Sequence, residues 1–150
     1  MPTTFTSREL VRDALAALFV ANGSWQEVYQ YHPSVNEIEN KTPFLVIRSA
    51  GTQQDMANEW TNKVTYRFAI ISYVLAYSAS DNWTSALAED KVDELDKVIR
   101  QVIRNNAGSM ATCDDLLLDN GLSQPQDVIL EGVPYIRESR FVSAYLQAGA

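Results

Sequence analysis

The 150-residue chain sets nineteen acidic side chains against twelve basic ones, a net charge of −7 with a pI near 4.6, which argues against a nucleic-acid backbone or an anionic membrane as its main partner. With 46% hydrophobic and 21% charged residues it reads as one globular domain, long enough to bury a core without staples. A single cysteine, Cys113, excludes an internal disulfide and a cysteine-based zinc site, and a single histidine, His32, excludes a two-histidine metal motif.

Met1 to Ser7 is polar and is read as lacking a secretory leader, so the expected compartment is a reducing cytosol. Thr6-Ser7-Arg8-Glu9 then predicts a capping box. Leu10, Val11, Ala14, Leu15, Leu18 and Phe19 follow at helical spacing, and Gly23 supplies the stop, so a helix is expected over 7–21. Trp25 to Tyr31 predicts a short strand that carries Trp25 and then Val28 or Tyr29 with Tyr31. Pro33 to Thr42 reads as polar loop, and Pro43-Phe44-Leu45-Val46-Ile47 opens a strand over 43–50 that Gly51 breaks. Gly51 to Trp60 is polar and aperiodic, and it is expected to be a projecting loop whose large apolar groups are Met56 and Trp60.

Thr61 to Tyr77 fits both periods. Val64, Phe68, Ile71 and Leu75 suit a helix, whereas Val64, Tyr66, Phe68 and Ile70, then Ile71, Tyr73, Leu75 and Tyr77, suit a strand with a one-residue shift. Its β-branched and aromatic content favours a long strand with a bulge near Ile70-Ile71. The most apolar run, Phe68 to Tyr77, is about half of the roughly 20 residues a membrane span needs. After the turn Ser80-Asp81-Asn82, a helix is expected over 83–105 with the stripe Leu87, Val92, Leu95, Val98, Ile99, Val102 and Ile103. Asp93–Lys97 and Asp96–Arg100 fall at the (i, i+4) spacing on its solvent side.

Leu116-Leu117-Leu118 and Val128-Ile129-Leu130 read as short strands, and Gly132 with Pro134 as a turn. From Tyr135 to Leu146 the chain alternates. Tyr135, Arg137, Ser139, Phe141, Ser143 and Tyr145 share one face, and Ile136, Glu138, Arg140, Val142, Ala144 and Leu146 the other. Neither face is wholly apolar, so one is expected to be half exposed or covered by a partner. The fold class is therefore α+β: a mixed or antiparallel sheet packed against two main helices.

The residues give little sign of catalysis. The glycines at 23, 51, 108, 121, 132 and 149 form neither a dinucleotide fingerprint nor a phosphate loop. His32 beside Pro33 reads as an ordinary loop residue rather than a general base, and Cys113 as a plain thiol without basic activation. Asp114-Asp115 reads as a loop cap before a cation site. Glu89, Asp90, Asp93, Glu94 and Asp96 read as the solvated face of their helix. No enzyme activity, cofactor or metal is expected. Tyrosines at 29, 31, 66, 73, 77, 135 and 145 fit half-buried sheet positions, or contacts with another subunit, where aromatics and Arg are favoured. Met56 and Trp60 either tuck onto their own core or anchor a neighbour. The contact candidates are Asp55, Met56, Glu59, Trp60, Tyr135, Arg137 and Tyr145.

Three features together carry a resemblance: the first helix followed by Pro43-Phe44-Leu45-Val46-Ile47; the strand 61–77 leading into the charged helix 83–105; and Leu130-Glu131-Gly132-Val133-Pro134-Tyr135 running into the terminal strand. Over almost the whole chain this layout resembles the tail terminator and tail-completion proteins of long-tailed bacteriophages, the minor tail protein U-like group. The group has no catalytic motif to match. The resemblance implies a homo-oligomeric ring, usually a hexamer, that sits on the finished tail tube. There it would stop polymerisation of the tube protein, offer a surface to neck and head-completion proteins, and let DNA pass through, at the head–tail junction of the virion. Gly51 to Trp60 would be the corresponding contact segment. A related neck or tube subunit, or a small ligand-binding domain, is the alternative reading.

Overall fold

A computed structural model describes residues 5–58, 61–78 and 81–149. Helix α1 runs Arg8–Asn22. Its N-cap is Ser7, one residue later than the expected capping box, with the Ser7 hydroxyl accepting from the Leu10 amide. Gly23 closes it in the left-handed region at φ 79°, where a side chain would be strained. Strand β1 (Glu27–Tyr29) and strand β2 (Phe44–Asn58) flank a four-residue helix, α2 (Val35–Ile38). Strand β3 spans Thr61–Leu75 and helix α3 spans Ser85–Asn106. Strands β4 (Asp115–Leu118), β5 (Gln126–Leu130) and β6 (Val133–Gly149) complete the chain.

The sheet is mixed, with order β1-β2-β3-β6-β4 and β5 paired on β6. β1 is parallel to β2, and the other pairings are antiparallel. β3 is the central strand, hydrogen-bonded to β2 and to β6 over its length, with Val64 opposite Leu146 and Val74 opposite Ile136. β1 covers the outer edge of β2 only at Phe44, Leu45 and Val46. Glu131 and Gly132, at φ 44° and 82°, make the two-residue turn between β5 and β6; such a turn matches the twist of the strands it joins.

Both long helices lie on one face of the sheet. Val11, Leu15 and Phe19 from α1 and Val92, Leu95, Ile99 and Ile103 from α3 pack on Ile47, Phe68, Ile70, Val74, Val142 and Leu146. The buried side of α3 includes Ala88, whereas Leu87 is exposed and Val98 half-buried. Trp25 joins this core edge-to-face with Phe19, and its indole N–H donates to the buried Ser72 hydroxyl at 3.2 Å. A second, smaller core occupies one end of the opposite face: Tyr29, Ile38, Phe44, Val46, Tyr73 and Tyr135. There Phe44 and Tyr73 stack with ring centroids 4.7 Å apart.

Four expectations are corrected. Gly51 to Asn58 is not a loop but the outer half of β2, paired with Thr61–Arg67 of β3. Thr52, Gln53, Gln54 and Asp55 are all exposed, so the strand has no alternation to betray it. The register shifts lie in β2, between Ser49 and Gly51 and between Met56 and Asn58, not at Ile70-Ile71, and β3 runs in unbroken register with β6. The shift in apolar pattern along β3 arises because its second half is buried on both faces, Ile70 and Val74 under the helices and Tyr73 in the second core. The segment 33–42 holds α2, whose Glu37 carboxylate accepts from the Ser34 amide at 3.2 Å. Asp96 is not on the solvent side of α3: its carboxylate bonds Arg140 at 2.7 Å and Arg100 at 3.2 Å.

Glu138 faces the helices and is buried, accepting from the Ser123 hydroxyl at 2.7 Å. Burial pushes its carboxyl above the usual range, and the Asp96 carboxylate adds to the push. A raised carboxyl pKa means that the ionised form weighs against folding. The penalty is absent below the unfolded pKa, near 4.3, and is complete once pH exceeds the folded value. Glu138→Gln keeps an acceptor for Ser123 and should raise the melting temperature at pH 7. The gain should vanish at about pH 3, where the wild-type side chain is neutral in both states. Equal gains at both pH values would refute this origin.

Candidate interaction surface

The helices cover one face of the sheet, and the second core covers only one end of the other. Beyond that end, among the described residues, no helix packs on the far face of β3, β6 and β4. The strand period places Arg67 and Ala69 of β3, Phe141, Ser143 and Tyr145 of β6 and Leu117 of β4 on this open face. Leu117 is 52% exposed, Tyr145 39% and Phe141 36%.

Arg67 organises the centre. Its guanidinium sits 4.2 Å above the Phe141 ring and forms a salt bridge with Asp119 at 2.9 Å. Asp119 also accepts from the Ser143 hydroxyl at 3.2 Å. Across the strand, Gly51 stands opposite Arg67, at φ 147°, where the β2 bulge demands glycine. The result is a patch with an aromatic and aliphatic content and a pre-ordered arginine, the composition favoured at the centre of protein interfaces.

The sequence-derived candidates divide. Tyr145 lies on the open face. Asp55 lies in β2 opposite Lys63 and accepts from the Gln53 side-chain amide at 2.9 Å. Met56 sits in β2 opposite Asn62, but its side chain lies outside the described residues, as do Glu59 and Trp60 altogether. Tyr135 is corrected: it is 6% exposed and belongs to the second core of its own chain, edge-to-face with Phe44. Arg137 is also directed inward in part. Its Nε is buried without a hydrogen-bond partner, and its terminal nitrogen reaches Gln126 at 3.5 Å. Arg67, Leu117 and Phe141 were missed. Phe141 was legible in the alternation of β6, but Arg67 and Leu117 acquire their meaning only from the pairing of distant strands.

No protein-family model and no curated protein matches this sequence. The surface is therefore read from its own chemistry.

The residues weighed for catalysis have structural surroundings. His32 is exposed, with its Nε2 against the Arg48 guanidinium. Burial, with Asp114 and Asp115 close by, pushes the Cys113 thiol up to about 11; at neutral pH it is a thiol and not a nucleophilic thiolate. Asp114 accepts from the Gln147 amide at 2.6 Å and Asp115 from the Leu116 amide at 2.9 Å, so both fasten the start of β4. Among the described residues no group of three or more His, Cys, Asp or Glu side chains could hold a metal ion, and no helix is long and apolar enough to cross a membrane.

Proposed function

We propose that this chain is a non-enzymatic structural subunit that works as a homo-oligomeric ring, capping a phage tail tube and presenting its other side to the neck. The observation that carries the reading is the one-sided sheet: two helices complete one face, while the opposite face carries the ordered Arg67–Phe141 pair and exposed Leu117 and Tyr145. A subunit of a closed ring needs such a patch to meet a neighbour, and a chain stopper needs an end that does not repeat the surface along which the tube grows. The α+β layout, with a charged helix between the two longest strand regions, supports the same reading. The proposed partners are further copies of this chain, the tube protein and a head-completion protein. DNA passes through the ring without being gripped, in keeping with the net charge of −7.

Light scattering over a concentration series, with negative-stain images, tests this. Closed rings of about six subunits are expected. Long filaments would overturn the stopper in favour of a tube-like subunit, and a monomer that fails to arrest growth of purified tube protein would overturn it altogether. Leu117→Glu with Tyr145→Glu should leave the circular dichroism spectrum and melting temperature nearly unchanged, because both side chains are substantially exposed. The same pair should weaken self-association at least about tenfold by placing unpaired charge in an apolar contact. An unaltered mass distribution would remove the open face from the contact.

A further inference from the structure

A second surface, which adjoins the open face at Leu117 and Asp119, has a charge that contradicts the rest of the molecule. A cleft of about 410 Å3 lies between the last turns of α3, strand β4 and the segment after it. Arg100, Arg104 and Arg140 line it. One carboxylate, Asp96, serves both Arg100 and Arg140. Asp119, at the cleft wall, is already spent on Arg67. Among the described residues the Arg104 guanidinium has no hydrogen bond or ion pair. The cleft therefore holds surplus positive charge in a chain whose net charge is −7.

The first half of the same helix has the opposite excess. Glu89, Asp90, Asp93 and Glu94 are exposed, and among the described residues only Glu94 of these has an ion-pair partner, Lys91 at 3.5 Å. At 1.5 Å per residue these acids lie roughly 15–23 Å along the axis from Arg104. They cannot pair with Arg104 of their own molecule, but another copy can bring them there. We propose that the arginine cleft seats the acidic first half of α3 from a second copy of this chain. Guanidinium groups pre-positioned by Asp96 would receive the Asp90 and Asp93 carboxylates in charge-assisted hydrogen bonds. A polyanion such as DNA is the poorer occupant, because the surrounding acidic surface repels a long phosphate chain while leaving a local carboxylate contact intact. The inference rests on the homo-oligomer of the proposed function and not on its ring number.

Charge reversal tests it on the full chain. Arg104→Glu alone and Asp90→Lys with Asp93→Lys should each weaken self-association at least about tenfold, as like charges then face each other. Placing both sets of reversals in one chain should restore it. So should an equimolar mixture of the two variants, whose contacts alternate between native and inverted polarity. Thermal melts confirm folding of each variant, and the restored association of the combined chain guards against a general defect. Rings unaffected by Arg104→Glu would overturn this seat while leaving the ring. A dimer and nothing larger, broken by the same reversals, would support the seat and overturn the ring. A wild-type monomer at every concentration that also fails to arrest growth of purified tube protein would overturn both. Binding of a 30-base-pair duplex (about three helical turns) that is lost in Arg104→Glu, with no change in mass, would replace the second copy by nucleic acid.

Discussion

Phe68→Ala should lower the unfolding free energy by about 3–5 kcal/mol, the usual cost of emptying a fully enclosed aromatic site. Phe68 is the middle of the middle strand. It is fully buried, stands opposite Ser49 on β2 and Val142 on β6, and belongs to the core beneath both long helices. The cavity would be walled by two backbone ladders, which cannot collapse into it as a loop could. Urea unfolding followed by circular dichroism measures the loss. A change below about 1.5 kcal/mol would mean that the helices close over the gap, and that this core is softer than its enclosure implies.

Asp96→Ala should cost about 2–3 kcal/mol, somewhat less than breaking a wholly buried ion pair. Its carboxylate and the Arg140 guanidinium are 16% and 18% exposed, and the Nε–Oδ1 distance is 2.7 Å. Removal leaves Arg140 half-buried and unpaired beneath α3. Glu138 moderates the loss, because the neighbouring Asp96 charge is one of the causes holding its carboxyl above the usual range. With Asp96 gone, Glu138 ionises more readily and can partly balance Arg140. The double variant Asp96→Ala/Arg140→Leu should recover most of the stability, since replacing both partners removes the uncompensated charge. A double variant no more stable than Asp96→Ala would locate the cost in packing around Asp96 instead of in the charge.

Legibility followed burial on one face. α1 and α3 were readable because their apolar residues recur at helical spacing and Gly23 ends the first explicitly, although their N-caps, Ser7 and Thr84, lie past the cap residues the sequence suggested. β6 was readable because its inward face packs under helices while its outward face is mixed. Two kinds of element escaped. The outer half of β2 is polar on both faces, so only its pairing with β3 makes it a strand. Helix α2 is too short for periodicity, yet Ser34 and Glu37 three positions apart were a usable signal. Of the open face, Tyr145 was foreseeable from alternation. Tyr135 looked equivalent to it, because nothing local reveals that Phe44 and Tyr73 come to lie beside it. The arginine cleft was hidden for the same reason: Arg100 and Arg104 lie on α3, and Arg140 comes from a strand more than thirty residues later.

The partial cover that β1 gives to β2 has a kinetic consequence. Past Val46, among the described residues, no strand pairs with the outer edge of β2, while its inner edge is held by β3 as far as Asn58. In an antiparallel ladder successive amides point alternately toward and away from the neighbouring strand. Along 47–58 every second N–H is thus locked inside the sheet, and the ones between face solvent. Deuterium uptake along this strand should therefore have a two-residue beat, fast and slow in turn, broken at Ala50 and again at Ala57, where the register with β3 shifts.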